Sequence, residues 1–178
     1  MNFRGYTGYG RNHVKMANGQ WGRKMQDDVT DSVNWAVEQG IADPDNVCIY
    51  GASYGGYAVM AGITKTPKMY KCAVNYVGVT DMGLLFSKMP KVWEIWEEQQ
   101  KIEIGDYDND KEYLDAVSPI NLVDRIETPL YIVHGVRDWR VPIQHAQKLR
   151  RELEKNGKVE GEDVGWMLKN EEGRGFCI

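Results

Sequence analysis

Gly51-Ala52-Ser53-Tyr54-Gly55-Gly56 sets a serine between glycines, and the apolar run Val47 to Tyr50 leads into it. In the spacing G-x-S-x-G, after a strand and before a helix, a serine occupies a sharp turn that holds its hydroxyl clear of the sheet. The chemistry such a serine would do is nucleophilic attack on a carbonyl, with the helix N-terminus favouring the negative charge that develops. The backbone N–H of Tyr54 would be one donor to that oxyanion. Asp138 is the second candidate, in His134-Gly135-Val136-Arg137-Asp138, just past the apolar run Leu130 to His134. A carboxylate at the carboxyl end of a strand faces the crevice where open α/β sheets bind ligands. Taken alone, G-x-S-x-G is matched about as often by an ordinary strand-to-helix turn, and a loop aspartate is more often a cap. The flanking elements and the order serine-then-acid favour catalysis.

Those elements are legible from apolar patterning. Met25, Val29, Val33, Ala36 and Val37 recur on one face and predict a helix over 25–39, stopped by Gly40 and followed by the turn Asp43-Pro44-Asp45. Val47 to Tyr50 lacks alternation and reads as a strand buried on both faces. Tyr57 to Ile63 reads as a helix, Cys72 to Val77 as a second strand and Leu130 to His134 as a third. A helix over 143–155 ends at Asn156-Gly157, and Gly165 to Leu168 is the last strand candidate. Asp81 to Glu103 is helical and rich in Met and Trp, and residues 105–114 are acidic and irregular. Strands alternating with helices predict an α/β fold with a mostly parallel sheet. Residues 5–22 are glycine-rich loop. Their order G-x-x-G-x-G, with no helix following at once, does not fit a dinucleotide-binding turn.

Composition limits the alternatives. The chain has 178 residues, 42% hydrophobic and 27% charged, a globular balance. A formal charge of −4 provides no basic field for nucleic acid. No stretch reaches the roughly 18 apolar residues of a membrane span, and Arg4 and Gly5 precede any apolar run, unlike a secretion leader. Cys48 and Cys72 sit in apolar runs and read as small buried core residues, and nothing near Cys177 argues for a reactive thiol. A reducing, cytoplasmic compartment is expected on that basis. Both ends read as cut within elements, with Met1 to Arg4 as the middle of a strand.

Ser53 within Gly51-Ala52-Ser53-Tyr54-Gly55-Gly56-Tyr57 resembles the G-x-S-Y-G-G-Y elbow of the prolyl oligopeptidase family of serine peptidases. Asn2-Phe3-Arg4-Gly5-x-x-Gly8-Tyr9-Gly10 is similar to that family's N-x-R-G-S-x-G-Y-G segment. Asp27-Asp28-Val29 with Trp35 is similar to its D-V-x-x-A-V-x-W helix, and Asp43-Pro44 to its D-P turn. His134-Gly135-x-x-Asp138-x-Arg140-Val141-Pro142 resembles its H-G-x-x-D-x-R-V-P acid motif. The likeness is nearest the acylaminoacyl-peptidase and dipeptidyl-peptidase branch. It implies an α/β-hydrolase fold without its first strands and closing helix, so that 1–178 is a partial catalytic domain lacking the family's β-propeller. It also implies short peptide substrates, no metal or organic cofactor, Ser53 as nucleophile and Asp138 as the acid that orients a histidine. The other oxyanion donor would lie upstream of residue 1. A sheet lacking those strands would expose an edge for another chain or domain to cover.

The pattern breaks at the base. The family's E-G-H-G-F reads Glu172-Gly173-Arg174-Gly175-Phe176 here, so Arg174 stands at the histidine's position. Arginine stays protonated and offers no acceptor, so it cannot deprotonate Ser53, but it is able to pair with Asp138. His145, at the start of a helix, is a weak substitute base. His134 is expected to be a hydrogen-bonded core residue and His13 a surface one. Met82, Leu84, Leu85, Phe86, Met89, Trp93 and Trp96 are either a pocket cap or an amphipathic helix, and Arg140 and Glu94 either hold a substrate terminus or pair at the surface. Two rivals to an impaired serine peptidase remain: a non-catalytic binding relative, favoured by Arg174, and an esterase of the same fold.

Overall fold

The computed structural model describes residues 1–176. In chain order it holds α1 (Arg11–Lys15), α2 (Lys24–Glu38), β1 (Cys48–Ala52), α3 (Tyr54–Lys65) and β2 (Cys72–Tyr76). These are followed by α4 (Met82–Ser87), α5 (Glu97–Glu103), α6 (Lys111–Ala116), β3 (Leu130–Gly135), α7 (Gln144–Lys155) and β4 (Val164–Lys169). All four apolar runs are strands. They pair side by side in the order β1-β2-β3-β4, every pair parallel. Parallel neighbours cannot be joined by a tight turn, so each connection is a crossover carrying helix.

The register sorts side chains onto two faces. Ile49, Ala73 and Leu130 share one, and there α3, α7 and the 3-10 segment Pro119–Arg125 build the main core with Met60, Ile63, Ile132, Leu149 and Leu153. Helix α3 is buried from Gly56 through Thr64, which suits its unbroken apolar sequence. Each large side chain sealed there contributes about 1.5–3 kcal/mol of transfer free energy. Helix α7 is two-sided by contrast, with Ala146, Leu149 and Leu153 inward and Arg150 and Glu154 in water.

The opposite face departs from expectation. Cys48, Tyr50, Cys72, Val74 and Tyr131 share it, and Tyr50 is 62% exposed. No helix covers this face among the described residues, and β1 is the outer strand. Its run is apolar without being buried on both sides. The cysteines are corrected too: Cys48 is exposed, Cys72 half-buried, and the two are bonded as a disulfide between register partners 4.7 Å apart at Cα. Adjacent parallel strands bring directly paired residues within the Cα range a disulfide needs. The bond removes the argument for a reducing compartment that rested on unpaired cysteines. Cys177 lies outside the described residues.

At the N-terminus, residues 1–3 are not a strand, having no neighbouring strand to pair with. The segment is held instead by Arg4, whose backbone N–H and Nε both donate to Asp28 Oδ2, at 2.9 and 2.7 Å. That side-chain bond holds the Asp28 carboxyl below its usual range. The glycine-rich loop that follows includes the single turn α1. Among the described residues no helix is long and apolar enough to cross a membrane.

Candidate active site

Ser53 connects the end of β1 to the start of α3 with φ 61° and ψ −119°. A non-glycine residue at positive φ is strained and is kept only where its surroundings over-determine it. Here the Ser53 N–H donates to the Tyr76 carbonyl at the end of β2 (3.0 Å), and its own carbonyl accepts the Tyr57 N–H (3.1 Å). Its hydroxyl makes no capping bond to the helix, so it is not used up by the fold. The N–H of Tyr54 is the first of α3 and precedes any intrahelical acceptor.

The glycines make the turn possible, though not all in the manner the motif implies. A Cβ on Gly51 would lie 2.3 Å from the Gly55 carbonyl oxygen, which excludes any side chain there. A Cβ on Gly56 would lie 2.5 Å from the Gly78 Cα, so the first turn of α3 rides directly on the chain leaving β2. Gly55 differs: a Cβ there would meet nothing within 4 Å.

Asp138 closes a turn off β3, its N–H donating to the Gly135 carbonyl (3.0 Å). Its side chain is fully buried. Oδ1 accepts the N–H groups of Arg140 (2.8 Å) and Val141 (3.0 Å), which wraps the loop around the carboxylate. The remaining partner is Arg174, whose Nη1 donates to Oδ1 and Oδ2 at 3.3 and 3.2 Å. Arg174 arrives on a strap, residues 172–176, laid across the carboxyl ends of β2 and β3. The Arg137 N–H donates to the Glu172 carbonyl (2.9 Å). A Cβ on Gly135 would lie 1.8 Å from the Gly173 oxygen, so strap and strand touch backbone to backbone.

The histidines are all engaged elsewhere. His145 is fully buried, and its Nδ1 accepts the Thr80 N–H (3.2 Å), which leaves the ring proton on Nε2. Burial pushes its pKa down to about 4. His134 is the buried, bonded residue expected: its Nε2 donates to the Val141 carbonyl (2.8 Å), and burial lowers its pKa. His13 is half-buried rather than exposed, with Nε2 against the Phe3 carbonyl (3.1 Å).

Met82 and Leu85 are buried in a second core with Tyr57 and Leu114, so the packing reading holds for them. Phe86, Met89 and Glu94 line an open cavity of about 440 Å³ with Lys101, Asp106 and Tyr107; Ser53, Asp138 and Arg174 do not line it. Arg140 makes no ion pair among the described residues, and its guanidinium stacks over Trp139, 5.2 Å from the ring centre. Tyr54 packs in an aromatic cluster with Phe3, Trp21 and Tyr57. Sequence reasoning passed over Tyr76 and Val77. Val77, a β-branched residue at φ 44°, is a backbone outlier that no pattern of residue types would flag.

Comparison with known proteins agrees with this architecture. Residues 1–170 match the prolyl oligopeptidase family. The chain is 38% identical over 179 aligned positions to dipeptidyl aminopeptidase BIII of Pseudoxanthomonas mexicana, with 99% of the chain and 25% of that protein covered. It is 34% identical over 178 positions to dipeptidyl peptidase family member 6 of Caenorhabditis elegans, with 98% and 24% covered. A puromycin-hydrolyzing peptidase of Mycobacterium tuberculosis superposes with a TM-score of 0.89 at 26% identity, over 98% of this chain and 25% of that one. The chain thus spans about a quarter of the length of the curated relatives it matches. The four-stranded parallel sheet with its flanking helices is that of the α/β-hydrolase fold of these peptidases. With the family matched over nearly its whole length, the chain belongs to the prolyl oligopeptidase family, which is a family of serine peptidases.

Proposed function

We propose that this chain is part of the catalytic domain of a serine peptidase acting on short peptides, and that Arg174 arrests its chemistry. Ser53 would attack the scissile carbonyl from the strained turn at the head of α3, and the Tyr54 N–H would bind the oxyanion. Asp138 would orient a histidine on the strap if one stood at position 174. The observation that carries the reading is the bond from Arg174 Nη1 to both oxygens of the buried Asp138 carboxylate. A permanently charged guanidinium in that place takes the acid's free lone pairs and supplies no base. Loss of the base in a triad of this kind typically lowers kcat by roughly a million-fold. Peptide substrates are supported by relatives that are themselves named dipeptidyl peptidases. The outer edge of β1 has no strand beside it among the described residues, and the same reading assigns its covering to another segment or chain.

The test is labelling by a fluorophosphonate, in which an activated serine oxygen attacks phosphorus and fluoride leaves. The native chain should stay unlabelled, Arg174→His should label, and adding Ser53→Ala should abolish the signal. A folded Arg174→His chain that stays inert would overturn these roles and leave the non-catalytic reading.

A further inference from the structure

Tyr76 ends β2 and touches both loops of the site with different parts of itself. Its main-chain carbonyl accepts the N–H of Ser53 at 3.0 Å. Its phenol oxygen accepts the N–H of Phe176 at 2.7 Å and donates to the Phe176 carbonyl at 3.0 Å. A hydroxyl can donate and accept through a single atom, so one oxygen satisfies both backbone groups of Phe176. The rings of Tyr76 and Phe176 meet edge to face, 5.2 Å apart at 74°. Residue 174 therefore lies on a strap fixed on either side: by Glu172 on Arg137 before it and by Phe176 on Tyr76 after it.

We infer that Tyr76 is a positioning residue, which sets Ser53 and position 174 in one frame by holding the nucleophile turn through its carbonyl and the strap through its phenol. This rests on the reading of position 174 as the place of the base. The geometry explains why a strap with so little regular structure keeps residue 174 on Asp138. Its C-terminal anchor is a side chain rooted in the sheet, packed with Val77 and Val133.

Tyr76→Phe isolates the effect, because it keeps the ring and its stacking and removes only the two bonds. In the native chain, tryptic cleavage after Arg174, followed by mass spectrometry of the released C-terminal peptide, should quicken about tenfold. Amide exchange at Phe176 should rise by a similar factor. In the Arg174→His chain, fluorophosphonate labelling per folded molecule should fall about tenfold or more, and the pH midpoint of labelling should move. The melting temperature, which would carry a purely structural role, should change little by comparison.

Unchanged cleavage and exchange in Tyr76→Phe would overturn the inference, whatever Arg174→His does. So would a loosened strap combined with an unaltered labelling rate and pH midpoint in the Arg174→His chain. If Arg174→His alone fails to label, the catalytic reading falls, while faster cleavage and exchange would still establish Tyr76 as the holder of residue 174.

Discussion

Reduction of the Cys48–Cys72 bond has a magnitude that follows from its place in the fold. The two residues are 24 positions apart, and the ring they close contains β1, Ser53, α3 and the start of β2. In the chain-entropy account, a cross-link stabilises by narrowing the unfolded ensemble, and a ring of this size gives about 3.4 kcal/mol at 25 °C. In a chain of this length each kcal/mol moves Tm by about 2–4 °C, so reduction or Cys48→Ser should lower Tm by about 7–14 °C. Calorimetry of oxidised and reduced samples measures this directly. The native circular dichroism spectrum at low temperature should not change, since the effect acts on the unfolded state. Thiol counting provides the chemical check: of three cysteines, one should alkylate in the unfolded, unreduced chain. Three reactive thiols, or equal Tm values with and without reductant, would refute the reasoning.

Other perturbations probe the site and its supports. His145, neutral when folded and held to a pKa of about 4, takes up a proton on unfolding below its ordinary value of 6.5. The stability it confers is complete above that value, and roughly 3 kcal/mol should be lost as pH falls from 6.5 to 4. His145→Asn, which keeps an acceptor for the Thr80 N–H, should flatten that slope in urea titrations. Gly51→Ala should destabilise by about 3 kcal/mol or more because its Cβ would overlap the Gly55 carbonyl, whereas Gly55→Ala should cost less than about 1 kcal/mol. Equal effects of the two would show that the turn relaxes. Arg174→Ala leaves the buried Asp138 carboxylate with only its two backbone donors, and unfolding should register a loss of about 1–2 kcal/mol.

What the sequence displayed and what it hid divide along physical lines. The four strands and α2, α3 and α7 were legible because burial selects runs and faces of apolar residues. The turn at Ser53 and the loop at Asp138 were legible because strand ends and glycines mark them. The open face of β1 was not, since Cys48-Ile49-Tyr50 is just as apolar whether or not a helix lies over it. The disulfide required knowing that residues 48 and 72 share a register position, which the spacing of cysteines does not encode. The Tyr76 clamp spans 100 residues, and a tyrosine at the end of a strand has nothing in its surroundings to announce a distant partner. Gly55 shows the reverse case: the motif marks it, while its own Cβ would meet only open space.

The all-parallel order of the sheet also governs how this chain must assemble. β1 and β2 are joined across a single helix, but the pairing of Ala73 with Leu130 waits on a crossover containing α4, α5 and α6. Closure entropy rises with the length of the intervening chain, and non-local pairings of this kind set the pace of folding. The Cys48–Cys72 ring spans the shortest of these closures and leaves the longest untouched. The short closure precedes the slow one, so oxidised chains should refold faster than reduced chains and unfold at nearly the same rate.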